Sequence, residues 1–173
     1  MSGSYTIGIG GLKEGRHTFD FEIDNKFFES FDESEIKEGS LSATIEMDKR
    51  SSHIDLLIAI SGSVKVCCDR CLDMFFYPVE CENRLLVKLG KKIEDGDPDI
   101  ISLTSDEHEL DLRQHLYEYI HLALPIRRVH ADDSEGNSTC NPLMMKKLKE
   151  LIVEEENEID PRWDKLKKLM NDN

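Results

Sequence analysis

Basic residues are scarce in this 173-residue sequence, in which 22 lysines and arginines stand against 36 aspartates and glutamates, for a formal net charge of −14 at pH 7. RNA, DNA and anionic membranes attract proteins through clustered lysine and arginine side chains. The chain as a whole is therefore repelled by all three, and we expect neither a DNA partner nor a membrane partner. Any contact with RNA has to use a local basic patch or a basic partner protein.

Long apolar runs and a secretion signal are also missing. No run approaches the roughly 18 apolar residues of a membrane span, and the opening MSGSYTIGIGG lacks the basic start and apolar block of a signal peptide. We therefore expect a cytoplasmic protein. Its five cysteines, an odd number, then favour reduced thiols over a disulfide framework.

The common catalytic motifs are absent as well. The sequence contains no G-x-S-x-G, no phosphate-binding glycine loop, no H-E-x-x-H and no G-x-G-x-x-G. Its histidines are scattered along the chain, as surface or packed imidazoles are. Hydrolytic catalysis therefore has no support in the sequence.

What the first half does have is alternation of apolar and polar residues, which is typical of strands with one buried face. The alternating stretches are residues 5–9, 19–23, 41–47, 54–68 and 75–89. Short links such as KEGR and DKRS suit hairpins. Residues 4–90 are therefore predicted to form an antiparallel sheet of about five or six strands that could close into a barrel. Phe27, Phe28 and Phe31 of a short amphipathic segment are predicted to plug one end of the core.

The second half changes to the period of an α-helix. After a polar stretch at 91–106 that we interpret as a loop, Asp111 is a good N-cap for a helix that Pro125 ends. Asn141 followed by proline predicts a second helix, and Asp160 followed by proline predicts a third.

Strands followed by helices are typical of an α+β domain. We predict one domain over residues 1–173, mainly β from 4 to 90 and mainly helical from 107 to 171. The helices are predicted to pack on the sheet.

The cysteines concentrate in VKVCCDRCLDMF, residues 64–75, where Cys68 and Cys71 have the spacing C-x-x-C. Cys68 has the apolar phase of its strand and Cys67 the polar phase, so the adjacent thiols point to opposite faces. Structural zinc takes four thiolate or imidazole ligands. His130 and Cys140, at the two ends of HADDSEGNSTC, are the candidates for the remaining two. Such a zinc site would link the sheet to the helical half.

Two other interpretations of these cysteines remain open. Free cysteines often pack as small buried hydrophobic residues without any ligand. Cys68 and Cys71 could also form a thiol redox sensor, although redox C-x-x-C pairs sit at a helix N-terminus and this one lies between two strands.

Basic residues are densest toward the C-terminus, in KKLKE and in DPRWDKLKKLM. The candidate partner-binding or RNA-binding residues are Arg70, Arg162, Trp163, Lys165 and Lys168. An arginine beside a tryptophan is a common interface anchor. The alternative is an amphipathic helix whose tryptophan simply docks on the core.

Three stretches in fixed order resemble the YceD-like family of large ribosomal RNA subunit accumulation proteins: VCCDRCLDMF, LDLRQHLYEYIHLALP and DPRWDKLKKL. GLKEGRHTFDFEIDNKFFESF near the start resembles one branch of it, so the resemblance covers nearly the whole chain. It implies a cytoplasmic, non-enzymatic factor in the synthesis, processing or accumulation of large-subunit ribosomal RNA. With the acidic charge, it implies ribosomal or rRNA-processing proteins as partners.

The sequence departs from this family at one place. Many members have a second cysteine cluster after the Leu-Pro, where this chain keeps only Cys140. Cys68 and Cys71 match the first pair, and Cys140 with His130 is at best a substitute for the second. Our first hypothesis is the rRNA accumulation factor that works through protein partners. The second is a zinc-linked module that binds RNA directly, and the third is the redox sensor.

Overall fold

The computed structural model describes residues 5–90, 100–104 and 106–152. Its strands are β1 (Thr6–Gly8), β2 (Gly15–Ile23), β3 (Gly39–Lys49), β4 (His53–Cys67), β5 (Met74–Leu89), β6 (Ile100–Leu103) and β7 (Glu109–Asp111). Its helices are α1 (Asn25–Glu29), α2 (Arg113–Leu122) and α3 (Pro142–Leu151). The predicted α+β class is confirmed for this part of the chain.

The main sheet has five strands in the order β2-β3-β4-β5-β6. Consecutive strands from β2 to β5 pair antiparallel, whereas β6 pairs parallel with the end of β5. Because β2 and β6 form the two edges, the sheet is open, and the expectation that it could close into a barrel is wrong.

Two short strands differ from the prediction, β6 in its position and β1 in its pairing. β6 falls inside residues 91–106, which we interpreted as a loop. It was missed because four residues are too few to show a period. β1 pairs with β7 in a separate two-stranded sheet, so KEGR joins two sheets and is not a hairpin. DKRS does connect the hairpin of β3 and β4.

The core lies on one face of the main sheet, as the alternation predicted. Along β4, Ile54, Ile58 and Val64 are fully buried, while Asp55 and Ala59 between them are exposed. The buried face continues along the neighbouring strands and under α2, which packs against β5. The other face of the sheet is exposed to solvent, which antiparallel sheets tolerate.

Helix α1 plugs one end of this core. The Asp24 side chain caps it by accepting from the Lys26 and Phe27 backbone N–H groups. Phe27 and Phe28 are buried, and Phe31 stacks on Tyr117 with ring centroids 4.0 Å apart. The predicted aromatic plug is confirmed.

The predicted start of α3 at Asn141 is confirmed, whereas the N-cap of α2 is Leu112 and not the predicted Asp111, which is the last residue of β7. Asp111 accepts from the Arg113 N–H at 2.9 Å, and Asn141 accepts from the Leu143 N–H at 3.0 Å. The helix predicted after Asp160 lies outside the described residues. Among the helices that are described, none has the length and apolar character to span a membrane.

Candidate metal centre

The first half of the centre is the turn that joins β4 to β5. After the last cross-strand pair, Cys67 with Met74, the Cys68 N–H donates to Asp73 O at 2.9 Å. The Leu72 N–H then donates back to Cys68 O at 2.9 Å, and Leu72 has a φ of 65°. The left-handed conformation at Leu72 closes the turn. Cys68 and Cys71 are both buried there.

The second half is a loop that folds back on itself between His130 and Cys140. The Asp133 carboxylate accepts from the Glu135 N–H at 2.9 Å and from the Asn137 N–H at 2.7 Å. Gly136, with a φ of 82°, supplies the left-handed residue of this turn. The reversal brings residues that are ten positions apart into contact.

Polar contacts hold the two halves together. The Asp69 N–H donates to Arg128 O at 2.7 Å, and the Arg128 N–H donates to the Asp69 carboxylate at 2.6 Å. Arg70 donates to Ser138 Oγ at 2.9 Å. Asn141 at the start of α3 also donates, through its amide, to the Asp73 carboxylate at 3.0 Å. The turn and the loop therefore have a fixed relative position.

The four predicted ligands meet at this junction. Cys68 Sγ lies 3.8 Å from Cys140 Sγ, and His130 Nδ1 lies 3.5 Å from Cys71 Sγ and 3.7 Å from Cys140 Sγ. All four candidate ligand atoms lie within 4.8 Å of one another. The structure thus brings together residues that are up to 72 positions apart in the sequence.

These distances fit the edges of a zinc tetrahedron. With Zn–S of about 2.3 Å and Zn–N of about 2.0 Å, tetrahedral angles put sulfurs about 3.8 Å apart and sulfur and nitrogen about 3.5 Å apart. The donor set of three cysteines and one histidine is also a common structural zinc set. The residues present therefore fit a metal ion of this type.

A small apolar shell packs on the cluster, and its Phe75 also contacts the main core. The half-buried residues packed on it are Phe75, Val129, Met144 and Met145. The His130 ring lies against the Phe75 ring with centroids 4.4 Å apart, which fixes the plane of the imidazole. This shell limits water access on the side of α3.

Hydrogen bonds favour the thiolate form of Cys68 by lowering its pKa. Burial acts to raise the pKa of the Cys68 thiol, but the backbone N–H groups of Cys71, Arg70 and His130 donate to its sulfur and bring the pKa to about 6. Burial raises the pKa of the neighbouring Cys71 thiol. Because metals bind the thiolate and not the thiol, Cys68 is the natural first ligand.

In the metal-free protein we expect a thiolate at Cys68 to form near pH 6. Titration of thiolate ultraviolet absorbance should show this step in the wild-type protein and in Cys67→Ser, and should lack it in Cys68→Ser. The assignment would be wrong if no thiolate formed below the range of an ordinary cysteine, about 8.5.

The predicted partner-binding or RNA-binding residues are not part of this cluster. Arg70 is half-buried and already bonded to Ser138 within the chain, so its predicted contact with a partner stays a prediction. The remaining candidates lie outside the described residues: Arg162, Trp163, Lys165 and Lys168. Cys67 lies outside the cluster, with Sγ 3.4 Å from Leu72 O.

Sequence reasoning missed the residues that hold the centre together. Asp69, Asp73 and Arg128 bind backbone and side chains across the two halves. Asp69 and Asp73 flank the cysteines, and a carboxylate beside a metal ligand is a usable signal for an orienting contact. Arg128 carries no such signal, because its partners are 59 and 93 positions away.

Comparison with known proteins gives one match. The model of the family described as large ribosomal RNA subunit accumulation protein YceD matches residues 56–170. The matched region contains all four residues of the cluster. No curated protein and no solved structure matches the chain.

Proposed function

Because the chain belongs to the YceD family of large ribosomal RNA subunit accumulation proteins, we propose that it is a cytoplasmic, non-enzymatic factor of ribosome biogenesis. It supports the synthesis, processing or accumulation of large-subunit ribosomal RNA. The match over residues 56–170 is the observation that carries this proposal.

The charge of the chain supports protein partners over naked RNA. A net charge of −14 attracts basic proteins and repels a phosphate backbone. The exposed sheet face adds acidic side chains such as Asp20, Glu46 and Glu82. The partners we propose are therefore basic ribosomal proteins or rRNA-processing factors.

Zinc is the metal that we propose for Cys68, Cys71, His130 and Cys140. Three thiolates favour a soft or borderline ion, and the near-tetrahedral spacing favours zinc among them. All four positions are taken by protein atoms, so the site has the closed form of a structural centre. Its role would be to hold the β4–β5 turn against the loop that leads into α3.

Protein purified without chelator is expected to contain about one zinc ion per chain. Elemental analysis on the folded full chain measures this directly. Folded protein that carries no metal, and takes up none when zinc is added, would rule out the zinc centre and leave the cysteines as packed hydrophobic residues.

Direct RNA binding is the second candidate. Lys146, Lys147 and Lys149 are exposed on α3, which the centre would hold in place. Binding through them should weaken steeply with salt, because each phosphate contact releases counterions.

A thiol redox role for Cys68 and Cys71 has less support. The lowered pKa of Cys68 suits it, but Cys68 lies in a turn between strands and lacks the helix N-terminus that activates redox pairs.

The experiment that tests the main proposal is native affinity purification of the tagged full chain, with and without nuclease. We expect large-subunit ribosomal or rRNA-processing proteins in both samples. Recovery that nuclease abolishes would favour the direct RNA contact. If nothing ribosomal is recovered, and depletion of the protein leaves the ratio of large-subunit to small-subunit rRNA unchanged, the main proposal is wrong.

A further inference from the structure

The solvent-exposed face of the main sheet carries two rows of carboxylates, one on β2 and one on β5. Cross-strand pairing through β3 and β4 puts Asp20 level with Glu82, and Glu22 level with Glu80. Between the two rows, β3 and β4 direct small side chains to this face: Ser42, Thr44, Ala59 and Ser61. The two middle strands therefore form the floor of a trough, and the four carboxylates form its walls.

The trough has a width that suits an α-helix. Neighbouring strands lie about 4.8 Å apart, so the three spacings from β2 to β5 put the walls roughly 14 Å apart. An α-helix with its side chains is about 10–12 Å across. Because the side chains of the floor are small, a helix can approach the backbone of β3 and β4 closely.

Apolar side chains lie at both ends of the trough. At one end Met74 and Phe76 point to the same face of β5, and they are 52% and 58% exposed. At the other end the half-buried Leu57 and Leu86 line a recess of about 860 Å³. Exposed apolar side chains with polar surroundings are typical of protein interaction sites. Both ends therefore offer contacts for apolar side chains of a partner.

The distance between these ends sets the length of the partner. From Leu57 to Lys65, which is the cross-strand partner of Phe76, β4 advances roughly 27 Å at about 3.4 Å per residue. A helix of about 18 residues has this length.

The charge of this face favours a basic partner. The acidic side chains that β2 to β5 direct to it are Asp20, Glu22, Glu46, Asp48, Asp55, Glu80 and Glu82. The fewer basic ones are Arg16, Lys65, Arg84 and Lys88. Among the residues that the structure describes, none forms an ion pair with a wall carboxylate. The Thr44 hydroxyl donates to the Asp20 carboxylate at 2.7 Å and so holds it beside the floor.

We propose that the trough binds a basic α-helix of a partner protein. The helix lies along β3 and β4, with its apolar stripe against Phe76 and Leu57. Lysine and arginine side chains on its two flanks face the two walls. This inference rests on the proposed function, because it names the surface and the structural element through which a basic ribosomal or rRNA-processing protein is held.

Two other occupants fit the trough less well. An RNA strand would bring its phosphates against two rows of carboxylates. A second copy of the chain, held by the symmetric contact that most dimers use, would set the same carboxylate rows against each other. A helix with cationic flanks is the occupant whose charge is complementary to the walls.

The probe for this surface is a synthetic helical peptide of about 18 residues, built from leucine, alanine and lysine. Its leucines form one stripe and its lysines flank the stripe on both sides. A scrambled peptide has the same composition and charge but no stripe. Anisotropy of the labelled peptides with the full chain, at low salt, measures the affinity. We expect the ordered peptide to bind at least about tenfold more tightly than the scrambled one, since only the ordered peptide can bury leucines against the apolar ends.

Replacement of the wall carboxylates by amides should weaken binding of the ordered peptide. The variant is Asp20→Asn/Glu22→Gln/Glu80→Gln/Glu82→Gln. We expect about tenfold lower affinity, because four exposed ion pairs of modest strength are lost together. Phe76→Ser should cause a similar loss by removing an apolar anchor. Because all five side chains are exposed, circular dichroism of the sheet should stay unchanged.

The matched control removes the same charges away from the trough. It is Glu14→Gln/Glu29→Gln/Asp32→Asn/Glu33→Gln, at four exposed positions outside this face, and it should bind the peptide almost as tightly as the wild-type chain. Absence of peptide binding, equal binding of the two peptides, or equal losses in the two quadruple variants would overturn the proposal. Displacement of the peptide by an RNA oligonucleotide, or a wild-type dimer that Phe76→Ser dissociates, would assign the face to RNA or to a second copy instead.

The proposed function fails on a different result. If the quadruple wall variant recovers the same ribosomal or rRNA-processing proteins as the wild-type chain in native affinity purification, the rRNA role stands and the trough is not the interface. If the wild-type chain recovers none of them but binds the peptide through the walls, the trough binds basic helices and the ribosomal partners are wrong.

Discussion

Replacement of Cys71 by serine is expected to abolish zinc retention and to lower the free energy of unfolding by about 4 kcal/mol. The metal would act as a cross-link between chain segments up to 72 residues apart. Closing a loop of this size removes about 4 kcal/mol of chain entropy from the unfolded state. For a chain of this length the loss corresponds to a melting temperature about 10 °C lower. Thermal denaturation with parallel metal analysis measures both effects.

Cys67→Ser is the matched control for this experiment. Cys67 is adjacent to Cys68 in the sequence, but its thiol lies outside the cluster. It should keep the metal and melt near the wild-type temperature. A chelator should bring the wild-type protein down to the melting temperature of Cys71→Ser and leave Cys71→Ser unchanged. Equal losses in the two serine variants would mean that the metal does not cross-link the chain through Cys71.

Gly62→Ala is expected to destabilise the sheet by about 3–5 kcal/mol. Gly62 has a φ of 148° in the middle of β4, a conformation that side-chain-bearing residues rarely adopt. An added Cβ would collide with Ser40 O and come within 2.6 Å of Leu41 Cα, both on the paired strand β3. Because these are backbone atoms of a ladder, neither can move aside alone. Chemical denaturation gives the free energy difference.

Alanine substitutions at two other glycines distinguish backbone strain from close packing as the cause of this destabilisation. Gly136 also has a positive φ, of 82°, but an added Cβ would meet nothing within 4 Å there. Gly136→Ala should therefore show only the backbone strain, about 1 kcal/mol. Gly8 has neither a positive φ nor a neighbour within 4 Å, so Gly8→Ala should be close to neutral. If Gly62→Ala were no worse than Gly136→Ala, close packing of the two strands would not be the cause.

The parts of the structure that the sequence predicts are those with a long repeating pattern. The alternation along β4 was sufficient to place Ile58 in the core and to separate Cys68 from Cys67. The ligand chemistry of zinc then made His130 and Cys140 the candidates for the remaining two positions, and the structure brings both into the same cluster. Both steps depend on the alternation along one strand and on the residue types that bind zinc, and both can be read from the sequence.

The parts that it does not predict depend on non-local pairing. Strands β6 and β7 have four and three residues, too few for a period to emerge. The alternation over residues 5–9 predicts β1 but not its pairing with β7. Alternation also says nothing about which strands form the edges, so it could not decide between an open sheet and a barrel. The link between Asp69 and Arg128 spans 59 positions and uses residues that are common on any surface.

The wide separation of the four cluster residues has a consequence for the order in which a new chain matures. Strands β2 to β5 are complete once residue 89 has been synthesised, whereas the cluster needs Cys140. Chain synthesis proceeds at about 5–20 residues per second. Cys68 and Cys71 are therefore present for several seconds before His130 and Cys140 are synthesised. Strands β2 to β5 are therefore available for folding before the centre can be assembled. Metal loading would be a late step, and the thiols of the nascent chain are most vulnerable to oxidation or to a wrong metal during that wait.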